Sequence, residues 1–135
     1  MTAQSQRDEL EIELPSRAPS VAKAREALAG VARQVGAPED DVKLAVSEAV
    51  GNSVMHAFRG REPGTIVLRA RSEADRLLVT VADDGDGMRP NLDSPGLGLG
   101  LSLITRLALD VSFDSSDKGT TVSMTFPIIA EPGVA

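Results

Sequence analysis

From Glu9 to Leu14 the chain alternates strictly, Glu-Leu-Glu-Ile-Glu-Leu, and then meets Pro15. A period of two marks a strand with one wet and one buried face, and proline ends it. From Ser20 to Val35 the period changes. Val21, Ala24, Leu28, Val31 and Val35 recur at helical spacing, with Ser20 placed to cap the start and Gly36 to stop the end. Pro38-Glu39-Asp40-Asp41 puts proline and acids in the first turn of a second helix, predicted to run to about Ala57. Phe58 to Gly64 reads as a connection. Thr65–Arg71 and Arg76–Ala82 are β-rich runs around Ser72–Asp75, a hairpin pattern, and a glycine-rich stretch follows from Asp83 to Gly100. Leu101–Leu109 returns to helical spacing. Asp110–Ser115 and Gly119–Ile128 read as two more strands around a turn at Ser116–Lys118.

The predicted order is β-α-α-β-β-α-β-β. Its most economical packing is one sheet with the helices on one face, a two-layer α/β sandwich. The expected layout is a flexible N-terminus at 1–8, one domain over 9–128 and a flexible tail at 129–135. A length of 135 residues, 41% hydrophobic and 25% charged, suits a single globular domain.

Composition narrows the function. The net charge is −6, the 14 basic residues are dispersed, and the chain has three Phe but no Trp or Tyr. Clustered cations and stacking aromatics, on which nucleic-acid binding rests, are therefore missing. The absence of Cys excludes disulfides and thiol chemistry, and a single histidine, His56, excludes multi-histidine metal sites. No apolar run approaches the ~20 residues of a membrane-spanning helix, and Met1–Arg7 lacks the apolar stretch of a secretory signal. The expected location is the cytoplasm.

Four local patterns carry candidate chemistry. Glu48, Asn52 and His56 follow one another at four-residue spacing, so they line one ridge of the second helix. Leu44, Ala45, Ala49 and Met55 beside them predict an apolar surround, with Lys43, Ser47 and Gly51 on the wet side. Polar groups in such a setting need partners: either an internal hydrogen-bond network or a ligand. Asp83-Asp84-Gly85-Asp86-Gly87 follows a strand. It is not a calcium loop, because Met88 stands where a third ligand belongs. It is either a plain turn or a carboxylate at a strand end beside glycines that let a flat ligand approach. Gly96-Leu97-Gly98-Leu99-Gly100-Leu101 opens a helix. It matches neither the phosphate-binding loop that ends in Gly-Lys-Ser/Thr nor the dinucleotide fingerprint, yet glycines at a helix start offer free N–H groups to an anion. Gly119-Thr120-Thr121 alone indicates a turn entering a strand.

Taken in order, these patterns resemble the GHKL (Bergerat-fold) histidine kinase-like ATPase superfamily, which includes gyrase, histidine kinases and MutL. The likeness spans Leu10 to Ile128. Ser47 to Phe58 and Asp110 to Ser116 are similar to the anti-sigma-factor serine/threonine kinases of RsbW and SpoIIAB type. The resemblance implies an α+β two-layer sandwich with a mixed, largely antiparallel sheet and helices on one face. It implies that Asp83 accepts a hydrogen bond from the adenine amino group of ATP, that Gly85 and Gly87 let the base lie against the backbone, and that Thr120 reaches the adenine site. It implies Asn52 as a ligand of Mg²⁺, phosphate-holding backbone at Gly96, Gly98, Gly100 and Leu101, and Glu48 as general base. His56 is expected to be structural. The implied partners are a sigma factor, sequestered from polymerase, and an anti-anti-sigma antagonist of the STAS type that is phosphorylated on Ser or Thr, with the kinase acting as a homodimer. Met88–Pro95 is shorter than the ATP lid of such kinases and holds one cation, Arg89. Arg106, in the third predicted helix, is left without an expected role. The shortened lid leaves two other readings: a nucleotide-sensing module without catalysis, or a detached histidine-kinase catalytic domain.

Overall fold

The computed structural model describes residues 6–57, 64–85 and 102–129. The elements run β1 (Gln6–Pro15), α1 (Pro19–Val35), α2 (Glu39–Asn52) with a π-helical turn at Ser53–Ala57, β2 (Thr65–Glu73), β3 (Arg76–Asp83), a short helix α3 at 102–107, β4 (Asp110–Ser116) and β5 (Gly119–Pro127). The order matches the one predicted from periodicity. β1 begins three residues before the alternation sets in and pairs along its length with β2, with a register irregularity between Asp8 and Leu10.

Five strands form one sheet in the order β1-β2-β3-β5-β4, and every described pairing is antiparallel. Both hairpins close in two residues. Ala74, in the β2–β3 turn, takes a left-handed φ of 51°, which tight hairpin turns require of their first central residue. The alternation of β3 and β5 sends Leu77, Val79, Val81, Val122, Met124 and Phe126 into the core. There they meet Leu28 and Val35 of α1, Val42, Val46 and Val50 of α2, and Ile104 of α3. The opposite sheet face carries Glu11, Arg69 and Arg71, with Arg69 paired to Glu11 and Arg71 to Asp8.

The helix ends depart in part from expectation. Ser20 is not the N-cap of α1. Pro19 occupies the first turn, Ala18 precedes it without a side-chain cap, and the buried Ser20 hydroxyl donates to the Pro15 carbonyl instead. Proline at the first turn needs no capped N–H, which frees the serine to tie α1 to β1. Gly36 ends α1 as predicted, with φ 91°, and the N–H groups of Gly36 and Ala37 both donate to the Ala32 carbonyl. α3 ends at residue 107, short of Leu109, because the Leu109 N–H donates to Thr125 and leads the chain into β4.

Candidate functional site

The strand end at Asp83 is where the candidate chemistry converges. Asp83 lies opposite Thr120 across the β3–β5 ladder, and both point into the helix-covered side, 9% and 2% exposed. A carboxylate so placed needs donors, and the described residues supply two. The Ser53 hydroxyl donates to Oδ2 at 2.9 Å, and the Gly85 N–H donates to Oδ1 at 3.0 Å. These two bonds leave each oxygen a further acceptor position toward the described residues. On Thr120 the hydroxyl meets that of Ser115 in β4 at 2.9 Å.

Ser53 was not legible as a site residue. It lies four residues after Ala49 and three after Val50, both buried, so helical periodicity already sends its hydroxyl toward the core. That was the signal to find it. The α-helix gives way to a π-helical turn at Ser53, a form that often appears at functional sites because it re-aims side chains. The sequence around Gly119 indicates only a turn. Its φ is 140°, and a Cβ there would fall 2.1 Å from the Asp83 carbonyl oxygen, so the close approach of the two strands at this end depends on glycine.

Glu48 and Asn52 occupy one side of α2, one turn apart and ahead of Ser53. Both are half-buried, and neither side chain bonds another described residue. The apolar surround expected for them is only partly present. Ala45 and Ala49 are buried, but Leu44 is 44% and Met55 69% exposed. The ridge therefore runs along the rim of the core, at the boundary a ligand can reach, and the internal-network reading finds no partners among the described residues. Ser47, on the wet side, donates back to the Lys43 carbonyl.

No three Asp, Glu or His among the described residues gather to hold a metal. A cation beside Asn52 would have one neutral protein ligand and take the rest of its shell from phosphate and water. That donor set fits Mg²⁺. Asp84 is exposed and accepts from the Thr65 N–H, so it fastens the start of β2. The Gly85 N–H is engaged by Asp83, so this glycine acts on the site through the carboxylate. Arg106 is exposed on α3. Gly87, Arg89, Gly96, Gly98, Gly100 and Leu101, with the rest of Met88–Pro95 and the side chain of His56, lie outside the described residues.

The family described as the histidine kinase-like ATPase domain matches residues 14–126. The serine-protein kinase RsbW of Listeria innocua is 34% identical over 136 residues, covering 87% of this chain and 86% of that protein. RsbW of Bacillus licheniformis is 35% identical, covering 87% and 84%. Among solved structures, the RsbU and RsbW domains of a Mycobacterium tuberculosis protein superpose with a TM-score of 0.66 at 20% identity, over 94% of this chain and 35% of that one. A blue-light activated histidine kinase domain from Erythrobacter litoralis gives a TM-score of 0.56 at 29% identity, over 67% and 44%. The chain spans less than half the length of each of these two solved chains, and the first of them supports the fold alone.

Proposed function

Because this chain belongs to the histidine kinase-like ATPase family and, within it, to the RsbW-type serine-protein kinases, we propose that it is an ATP-dependent anti-sigma kinase. It sequesters a sigma factor and transfers the terminal phosphoryl group of ATP to a Ser or Thr hydroxyl of an anti-anti-sigma antagonist. The observation that carries this reading is the buried Asp83 carboxylate, clamped between Ser53 and Gly85 at a strand end, beside a rim of half-buried polar side chains with no partners among the described residues.

In this reading Asp83 accepts from the adenine amino group. Guanine fails because its carbonyl oxygen would face an acceptor, a mismatch of the kind that discriminates by orders of magnitude. Thr120 lies across the ladder and contacts the same base. Asn52 holds Mg²⁺ through its amide oxygen. The ion, when bound, offsets the charge of the phosphate oxygens. Glu48, one turn away, orients the acceptor hydroxyl and takes its proton, a role worth about 10²–10⁴-fold. Backbone N–H groups at Gly96, Gly98, Gly100 and Leu101 bind phosphate, and Gly87 gives the base access to the backbone. The kinase works in the cytoplasm as a homodimer. β1, an edge strand of the described sheet, is the self-complementary surface.

The test is phosphoryl transfer from Mg²⁺-ATP to the cognate antagonist. With no Trp, Tyr or Cys, the protein absorbs almost nothing at 280 nm, so bound nucleotide is read directly from the ultraviolet spectrum. Glu48→Ala should abolish transfer while retaining ATP. Transfer undiminished in that variant would overturn the catalytic assignment, and ATP bound without transfer by the unaltered protein would make it a nucleotide-sensing module.

A further inference from the structure

The contact between Ser53 and Asp83 has a consequence for nucleotide choice. Ser53 is 2% exposed in the π-helical turn directly after Asn52, and its hydroxyl carries one proton. A carboxylate only accepts, so that proton goes to Oδ2 and the serine oxygen is left as an acceptor. Gly85 fixes the second oxygen from the other side. With both oxygens anchored, the carboxylate plane cannot turn about its Cβ–Cγ bond. Its remaining lone pairs keep one direction.

We infer that Ser53 is a positioning residue that sets the preference of this site for a purine bearing a 6-amino group, by locking the Asp83 carboxylate and presenting acceptors only. The inference rests on the ATP-site reading above. Without the serine hydroxyl, Oδ2 is buried with no donor among the described residues, and the carboxylate is held from the Gly85 side alone, so its plane is less firmly set. The loss falls on the hydrogen bond to the amino group, and the phosphates and metal are untouched.

The experiment compares ATP with purine riboside triphosphate, which lacks the 6-amino group, by displacement of a fluorescent nucleotide from the full chain. Ser53→Ala should weaken ATP about tenfold and leave the amino-free analogue within about twofold, the size of one hydrogen bond to a charged group. Transfer at saturating ATP should keep its rate, so the change appears in KM. Ser53→Thr, which restores a hydroxyl, should recover the preference. Should Ser53→Ala not fold, Ser53→Cys decides the matter: its weaker donor gives a partial loss of preference. An equal loss for both nucleotides, or an unchanged preference in Ser53→Ala or Ser53→Cys, would reduce Ser53 to packing and overturn the inference. Asp83→Asn separates the two levels of the argument. If it removes the preference while Ser53→Ala does not, the ATP site stands and the role of Ser53 falls. If the unaltered protein shows no preference for ATP, both fall.

Discussion

Replacing Gly119 with alanine probes the approach of β5 to β3 at the site. The added methyl would stand 2.1 Å from the Asp83 carbonyl oxygen, 3.1 Å from its carbonyl carbon and 3.3 Å from Asp84 Cα. Comfortable carbon contacts lie near 3.5–4.0 Å, so the two strand ends must separate by roughly 1 Å or more. All three atoms are backbone and cannot swing aside as a side chain would. Overpacking of this kind costs about 1–3 kcal/mol. A φ of 140° is foreign to an L side chain and adds about 1–3 kcal/mol. Together they remove about 2–6 kcal/mol from a domain whose whole stability is of order 5–15 kcal/mol. At roughly 3–4 °C per kcal/mol for this size, the melting temperature should fall by about 6–24 °C. Because the displaced backbone belongs to Asp83, the damage should also reach the nucleotide. Thermal unfolding followed by far-ultraviolet circular dichroism, with and without Mg²⁺-ATP, measures both effects, since a ligand raises the midpoint in proportion to RT ln(1 + [L]/Kd). We expect a lower midpoint and a smaller ATP-induced rise. A Gly119→Ala protein that melts within about 2 °C of the parent and keeps its full ATP response would refute the argument that the close approach of the strands builds the site.

Two further outcomes test parts of the fold remote from that corner. Gly30 sits exposed within α1, and a Cβ there would meet nothing within 4 Å, so Gly30→Ala should stabilise the protein by about 0.5–1 kcal/mol through helix propensity alone; a lower midpoint would mean that α1 is packed differently. Glu39, in the first turn of α2, has its carboxyl held below the ordinary value, chiefly by the hydrogen bonds from Arg33 (2.8 and 3.1 Å), with desolvation opposing and the charges of Arg33 and Lys43 adding smaller downward pulls. A depressed folded-state pKa contributes stability above the ordinary value, about 4.5, and that contribution is lost as pH falls through the lower folded value. The pair is exposed, so its effect is small and screened by salt. Arg33→Gln should flatten the acid limb of the stability profile at low ionic strength, and identical limbs for the two proteins would show that the pair does not persist in solution.

Much of the fold was readable because each element advertises itself locally. Alternation in β1, helical spacing in α1 and α2, and glycine at the end of α1 are properties of short windows, and each becomes the predicted element. Local patterns mislead where two windows compete. Ser20 looks like a cap until Pro19 is seen to fill the first turn, and the last turn of α3 yields to a bond from Leu109 to a strand partner 16 residues on.

Within the site, the residue types on hand are legible without folding: Glu48 and Asn52 one helical turn apart, a carboxylate at Asp83, and Thr120 after a glycine. Spacing along a helix and the composition of a turn are covalent facts, so no folding was needed to read them. It takes the folded chain to show that Ser53 clamps Asp83 across 30 residues of chain, that Ser115 meets Thr120, and that Gly119 makes room for the Asp83 carbonyl. The fold also leaves Leu44 and Met55 exposed, so that Glu48 lies on a rim open to a partner. These are matters of strand register and of which helix covers which strand end, set by packing the core as a whole, and no local pattern encodes them.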